Sequence, residues 1–315
     1  MYSFQKIWSG GSGFMKLSMW IIGNELAKKY GTIPVIAGGE RNIESVRLLS
    51  GADIQSLAQN YVYIGSASDY WSGTLSVVLA SGSDIMFVKH HDLTEVMNDL
   101  VVIFDKYREF EENLKAASKT DDPFQNMLNI IHELFKCPMF FGQKDLRIFA
   151  LTKQYTDSEV YEGWDDIKKY YTMPIKLINS AVAPDMKKYP DSIRTVAIPV
   201  SENEKKYFSY QIRSNVYCGK ELWGHLYIYY YNKAIPVSVL QLARYCADAY
   251  GALLDHLTVE DVSVRHREYT FLMDILDGKE VAREELENLA WQMGWDSGQK
   301  LRLYKLSFTE GTNSD

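Results

Sequence analysis

The stretch from Pro236 to Trp295 constrains the fold more than any other region of the chain. Apolar residues recur at three- and four-residue steps through Val239, Leu240, Ala243, Cys246, Ala247, Tyr250, Leu253, Leu254 and Leu257, the period of one helix face. Pro236 suits the first turn of such a helix, where a missing N–H costs nothing. The next stop is Asp277-Gly278, a turn or C-cap pair. From Val259 to Val264 the sequence is more polar, so the pattern predicts either a continuous helix or a bent helix in two segments. A second helical pattern, Glu280 to Met293, ends at Gly294, and Leu301, Leu303 and Leu306 then alternate as in a strand. An apolar stripe this long needs cover, and the expectation is that copies of the chain pair through the Pro236 to Gly278 helix.

The same segment carries a family likeness. Phe271-Leu272-Met273-Asp274-Ile275-Leu276-Asp277-Gly278 followed by Leu289-Ala290-Trp291-Gln292-Met293-Gly294-Trp295-Asp296 resembles the PucR/CdaR-like family of bacterial transcription regulators. In that family a sensory region joins a diverged GGDEF-like α/β module, and a helix-turn-helix domain closes the chain. The resemblance implies that residues 259–315 are a helical linker and the start of the GGDEF-like module. It also implies that DNA is reached only through a C-terminal domain absent here, so this chain alone is not expected to bind DNA specifically. The GGDEF signature loop is missing from the given residues, so the resemblance leads to no expectation of nucleotide cyclisation by this chain.

Composition narrows the class. With 315 residues, 46% of them hydrophobic, there is enough apolar surface for two domains and a sizeable core. A net charge of -7 argues against a broad basic surface for nucleic acid. The three cysteines, Cys137, Cys218 and Cys246, are far apart among apolar neighbours and read as reduced thiols in a cytoplasmic protein. Membrane partners are not expected, since no stretch approaches the roughly 18 uninterrupted apolar residues of a span.

In chain order, residues 1–14 hold Gly10-Gly11-Ser12-Gly13 without the Lys-Ser/Thr of a phosphate loop and read as a flexible leader; Met15 is an alternative start. Residues 15–117 alternate between strand patterns at Ile33–Ile36, Val62–Gly65, Leu75–Leu79 and Ile85–Lys89 and helix patterns at Asp53–Ala58 and Leu93–Leu114, which predicts a small α+β domain. Asp92 or Thr94 is the expected cap of the long helix. His90 and His91 are sequence neighbours, diverge on a strand or turn, and lack further ligands for a metal. The charged Lys119-Thr120-Asp121-Asp122-Pro123 marks the boundary to a second domain, residues 123–258.

That second domain reads as a helix over Phe124–Phe135, strands at Pro138–Phe141 and Leu146–Leu151, a mostly helical Tyr161–Ile178, then strands at Thr195–Val200, Tyr207–Arg213 and Leu222–Tyr231. The pair Val196-Ala197-Ile198-Pro199-Val200 and Gly219-Lys220-Glu221-Leu222-Trp223-Gly224-His225-Leu226 is similar to the GAF/PAS class of small-molecule sensor domains. The fold class is therefore expected to be α+β: a small N-terminal domain, a GAF/PAS-like antiparallel sheet, a long connecting helix and a partial GGDEF-like module. Gly219 permits the turn, and Gly224 lets a neighbouring backbone approach. The segment is dense in Tyr and Trp, which serve equally as sheet core or as the wall of a pocket.

For a ligand, Trp164, Tyr210, Arg213 and Trp223 are the candidates, chosen for size and one fixed charge, with the site between the sheet and the Tyr161–Ile178 segment. Strand alternation places Tyr210 and Arg213 on opposite faces unless a bulge intervenes, so a regular strand admits only one of them. None of the six histidines sits beside a nucleophile or a ligand set, and no hydrolase or metalloprotease motif occurs. The function expected is signal sensing and homodimerisation on behalf of a missing DNA-binding output, with no cofactor, no metal and no catalysis. The alternatives are a truncated, dimerisation-only homologue and an enzyme whose site assembles only in space.

Overall fold

The computed structural model describes residues 14–49, 56–70, 76–144, 147–171, 188–200, 208–257 and 278. The chain divides into two compact units, Met1–Asp261 and Val262–Asp315, and the elements below belong to the first. The expected leader to Gly13, residues 53–55 of the Asp53–Ala58 helix, residues 172–178 of the third helical segment and the GGDEF-like module lie outside the described residues, while Leu57 and Ala58, the described end of that expected helix, are not helical.

The structure opens on a helix that the apolar periodicity does not reveal, α1 (Met19–Leu26), whose cap Ser18 accepts a hydrogen bond from the Ile21 N–H. Five strands follow: β1 (Thr32–Val35), β2 (Ser45–Leu48), β3 (Tyr61–Ser66), β4 (Val77–Ser81) and β5 (Asp84–Val88). They form one sheet in the order β1-β5-β4-β3-β2, antiparallel except for the β2–β3 pair. β4 is buried along its whole length, as a central strand covered on both faces must be. β2 escapes pattern reading because it is a four-residue edge, Ser-Val-Arg-Leu, exposed at three of its positions.

Next, α2 (Leu93–Ala117) is capped by Asp92, which accepts from the N–H groups of Thr94 and Glu95. After a corner at 118–122, α3 (Pro123–Phe135) starts with proline at the helix entrance and Asp122 as its cap, the arrangement that leaves no useful donor wasted. Strands β6 (Met139–Gln143) and β7 (Ile148–Leu151), the short helix α4 (Trp164–Tyr170), and strands β8 (Thr195–Pro199), β9 (Tyr210–Cys218) and β10 (Glu221–Tyr230) complete a second, wholly antiparallel sheet. Its order is β7-β6-β10-β9-β8. The expected strand Tyr207–Arg213 is displaced toward the C-terminus and lengthened, because β9 pairs with β10 as far as Cys218.

The last described helix, α5 (Val237–Leu254), takes Pro236 as its N-cap rather than within its first turn. It ends at Leu254, with Asp255 as C-cap; Leu257 therefore falls beyond the helix on whose face the periodicity placed it, and the expected continuation lies outside the described residues. One side of α5 rests on β9, so tightly that a Cβ on Gly251 would stand 2.5 Å from the Tyr217 carbonyl oxygen. Its other side meets α1: Ser18 Oγ donates to Gln241 Oε1 at 2.5 Å, and Gln241 Nε2 donates to the Gly39 carbonyl at 2.7 Å. Val239, Leu242, Ala243, Cys246, Ala247, Tyr250, Leu253 and Leu254 are all buried. The stripe that predicted pairing of two copies is thus covered within the chain along its described length. One apolar cluster continues from Leu17 and Ile22 through Leu100 and Phe124 to Ile228 and Tyr250, on both sides of the α2–α3 corner.

Gly224 has the role its position in the sequence implied. A Cβ there would lie 2.1 Å from the Gly142 carbonyl oxygen and 2.9 Å from Gln143 Cα, both backbone atoms of the neighbouring strand β6. Neither atom retreats without breaking the central β6–β10 pairing. Gly224→Ala is accordingly expected to cost about 3 kcal/mol, the upper end of ordinary overpacking, in urea unfolding. A loss under about 0.5 kcal/mol, the scale of a neutral surface change, would mean that the strands do not approach so closely.

Candidate functional site

Helices α3 and α5 pack on one face of the second sheet, and the opposite face gathers the chemistry. Register places Arg213 opposite Tyr227 and Asn215 opposite His225, with Tyr229 and Gln211 next along. Alternation then sets Arg213, Asn215, His225, Tyr227 and Tyr229 on the face away from α5, joined by Phe140 of β6, which is paired with Tyr227. This face has an aromatic half and a polar half.

In the aromatic half, Phe140 and Tyr227 have ring centroids 4.7 Å apart, and Phe208 meets Tyr229 edge-on at 4.7 Å. Helix α4 carries Trp164 over this surface, 5.7 Å from Tyr229 and 6.4 Å from Phe140. The hydroxyls of Tyr161 and Tyr229 share a hydrogen bond of 3.2 Å. Trp164 is fully buried, and its Nε1 has no hydrogen-bond partner among the described residues.

The polar half is held by the backbone of the segment before β8. Arg213 donates from Nη2 to the Tyr189 carbonyl. Asn215 Nδ2 donates to the carbonyls of Asp191 at 2.7 Å and Ile193 at 3.2 Å, and the Tyr217 hydroxyl donates to Asp191 at 3.1 Å. With its amide nitrogen so used, Asn215 presents Oδ1 to His225 Nδ1 at 2.9 Å. That assignment follows from the hydrogen-bond pattern, and it fixes the tautomer: Nδ1 carries the proton, and Nε2 is a lone-pair acceptor. Burial first, and the neighbouring Arg213 second, push the His225 pKa down to about 4, against the opposing pull of Asp191. The imidazole is therefore neutral at pH 7. Its Nε2 is buried without a partner among the described residues, and so is Arg213 Nε.

Arg213 is 1% exposed. Among the described residues no carboxylate pairs with it, although a buried charge ordinarily requires a counter-ion. A guanidinium Nε–H and an imidazole lone pair on one buried face offer one donor and one acceptor to whatever enters.

The four residues picked from sequence do not come together. Arg213 and Trp164 belong to the face just described. Tyr210 packs toward the α3–α5 side and donates its hydroxyl to the Lys233 carbonyl. Trp223 lies on that side as well, stacked 5.3 Å from Phe141 and 6.4 Å from Phe124. Regular alternation would have put Trp223 with His225, but a bulge between Leu222 and Gly224 turns it over. His225 and Asn215 were missed. The available signal was their spacing along two adjacent strands, which becomes a contact only when the register, bulge included, is known.

Other reactive groups are quiet. Burial raises the pKa of all three thiols, that of Cys137 to about 11, which keeps them protonated. His90 is engaged with Glu95 at 2.8 Å, in a surface network that also holds Lys29, Tyr30 and Asp99.

No family model matches the chain, and no curated protein matches it. Among solved structures it is similar to the phycoerythrobilin-bound GAF domain of a cyanobacterial phytochrome, at 11% identity over 50% of this chain and 95% of that one, with a TM-score of 0.31. The chromophore-binding domain of a bacteriophytochrome from R. palustris gives 11% identity, coverage of 61% and 81%, and a TM-score of 0.34. The photosensory core module of the Stigmatella aurantiaca phytochrome gives 11% identity, coverage of 71% and 51%, and a TM-score of 0.30.

Proposed function

We propose that residues 123–258 form a GAF/PAS-like sensor whose small-molecule ligand lies on the α4 face of the second sheet, and that the chain is the sensory region of a PucR/CdaR-like regulator. The observation that carries the reading is Arg213, a buried guanidinium with no counter-ion among the described residues and with Nε unpartnered. Support comes also from the arrangement of the domain: an antiparallel sheet with β10 at its centre, α3 and α5 on one face, and α4 over the aromatic half of the other. The ligand class that fits is a small acid. Its oxygen would accept from Arg213 Nε, a hydroxyl or amine on it would donate to His225 Nε2, and a planar or apolar portion would meet Tyr227 and Phe140.

Occupancy shifts an output only through unequal affinity for two arrangements. Helix α5 is the element placed to carry the difference, because it lies directly on β9, the strand that bears Arg213. DNA recognition in this reading belongs to a C-terminal helix-turn-helix domain, and the protein acts in the cytoplasm. No helix among the described residues is long and apolar enough to cross a membrane. A homodimer fits the same reading, with the pairing surface elsewhere than on the described length of α5. The module binds and does not catalyse.

A thermal-shift screen of small hydroxy-, keto- and amino-carboxylates tests the proposal. At least one is expected to give a saturable rise in Tm, and Arg213→Met is expected to weaken its binding tenfold or more, the scale of a lost hydrogen bond to a charged group. The variant should fold about as stably as wild type, since it replaces a buried cation that has no counter-ion among the described residues with an apolar chain of similar length, at the loss of the Tyr189 hydrogen bond. A panel without a single saturable response, or equal binding by Arg213→Met, would remove the basis of the reading.

A further inference from the structure

We infer that the cleft between the end of α1, the end of α3 and the segment joining β10 to α5 is a second binding site, for an aromatic carboxylate of naphthoate size. It is separate from the second-sheet face and does not depend on it.

The cleft has a volume of about 570 Å³, within the range of natural small-molecule sites. Asn24, Glu25 and Lys28 line it from the α1 side, Phe135 and Lys136 from the end of α3, and Tyr231 from the segment after β10. Tyr231 is 38% exposed, a large ring left open to solvent beside a concavity.

The charge of the cleft is unbalanced. Its lining contains one carboxylate, Glu25, which is already satisfied: Lys28 Nζ donates to Oε2 at 2.7 Å, and Lys106 Nζ and the Tyr107 hydroxyl each donate to Oε1 at 2.9 Å. Two lysines thus answer one carboxylate before Lys136 is counted. The Lys136 ammonium makes no hydrogen bond and no ion pair among the described residues. The lining therefore favours an anion, and its own carboxylate is committed elsewhere.

The backbone of Lys136 is the independent sign. This residue is the C-cap of α3, at φ 50° and ψ 43°, with its N–H on the His132 carbonyl. That left-handed conformation ends a helix well with glycine or asparagine, whereas a long side chain strains it. Among the described residues Lys136 and Tyr171 are the non-glycine residues at positive φ. Such strain gathers at ligand sites, where the side chain that causes it is needed.

Size and surface set the rest of the ligand. A cavity of about 150 Å³ holds benzene, so this larger cleft has room for a fused pair of rings and a carboxylate. Phe135 and Tyr231 supply the rings to pack against them.

The probe is 2-naphthoate, titrated into the full chain by calorimetry. Saturable binding is expected, weakened by rising salt and about tenfold weaker for 2-naphthamide, which keeps the shape and removes the charge. Lys136→Gln should weaken it about fivefold, the upper scale of a solvent-exposed ion pair. Lys136→Gly should weaken it as much while raising Tm, because glycine relieves the left-handed backbone; weaker binding by a more stable protein is not the mark of a merely structural residue. Arg213→Met separates this site from the second-sheet face and should leave naphthoate binding unchanged. Binding that Lys136→Gln and Lys136→Gly leave intact, binding lost in Arg213→Met, equal affinity for 2-naphthamide, or no saturable binding below about 1 mM would overturn the inference.

Discussion

Truncating Phe141 to alanine is expected to remove about 3–5 kcal/mol of unfolding free energy, the cost of deleting a large aromatic from a packed core. The ring is fully buried, and few residues join so many elements. It stacks on Tyr250 of α5 with centroids 4.0 Å apart and planes 8° apart, on Trp223 of β10 at 5.3 Å, and on Phe124 of α3 at 5.6 Å. Each such aromatic pair adds to plain area burial, and neither a helix nor a sheet strand collapses easily into the void left behind. Phe141→Leu, which keeps most of the volume, is expected to cost about half as much. Urea unfolding by circular dichroism and by tryptophan fluorescence gives both numbers, Trp223 being a direct reporter. A loss under about 1 kcal/mol for Phe141→Ala, far below the core-truncation range, would show that α3, α5 and the second sheet do not share this stack.

The second large effect is a pH dependence centred on His225. Its pKa is depressed from an ordinary 6.5 to about 4 by burial and by Arg213. Between these values the unfolded chain binds a proton that the folded chain refuses, so stability rises with pH across the window. The contribution is fully present above pH 6.5 and is lost progressively as pH falls to about 4. At about 1.4 kcal/mol per unit of pKa difference, the loss approaches about 3 kcal/mol. His132 adds a smaller slope of the same sign, since burial lowers its pKa too. The test is the difference between wild type and His225→Gln. Glutamine has no titration in this range and keeps a polar end for Asn215, so its stability curve between pH 6.5 and 4 should be flatter by about one proton. Parallel curves for the two proteins would show that His225 is protonated as readily in the fold as outside it.

Much of the architecture was legible without coordinates. The apolar periods of α2 and α3, the Asp92 cap, most strands of the second sheet and the close approach at Gly224 all rest on patterns within a few residues, or on a side chain too small to admit an alternative. The α+β class follows from the same local signals. Helix α1 and strand β2 were not legible, because a short helix and a four-residue edge strand draw their stability from what covers them, α5 and β3, rather than from their own pattern.

The site divides along the same line. Sequence alone determined that Arg213 and Tyr210 could not share a face, a consequence of the two-residue period of any regular strand. It also determined that α5 would have a sticky face. Only the tertiary structure decided which of the two residues faced the candidate site, that the bulge at Trp223 would send that ring into the core, and that His225 would meet Asn215. Those outcomes depend on register between β9 and β10, and register is set by pairing and packing across the sheet. The cover on α5 was decided in the same way: its stripe is closed by α1 and the second sheet, with Ser18 and Gln241 meeting across 223 positions of chain, a contact that no local period encodes.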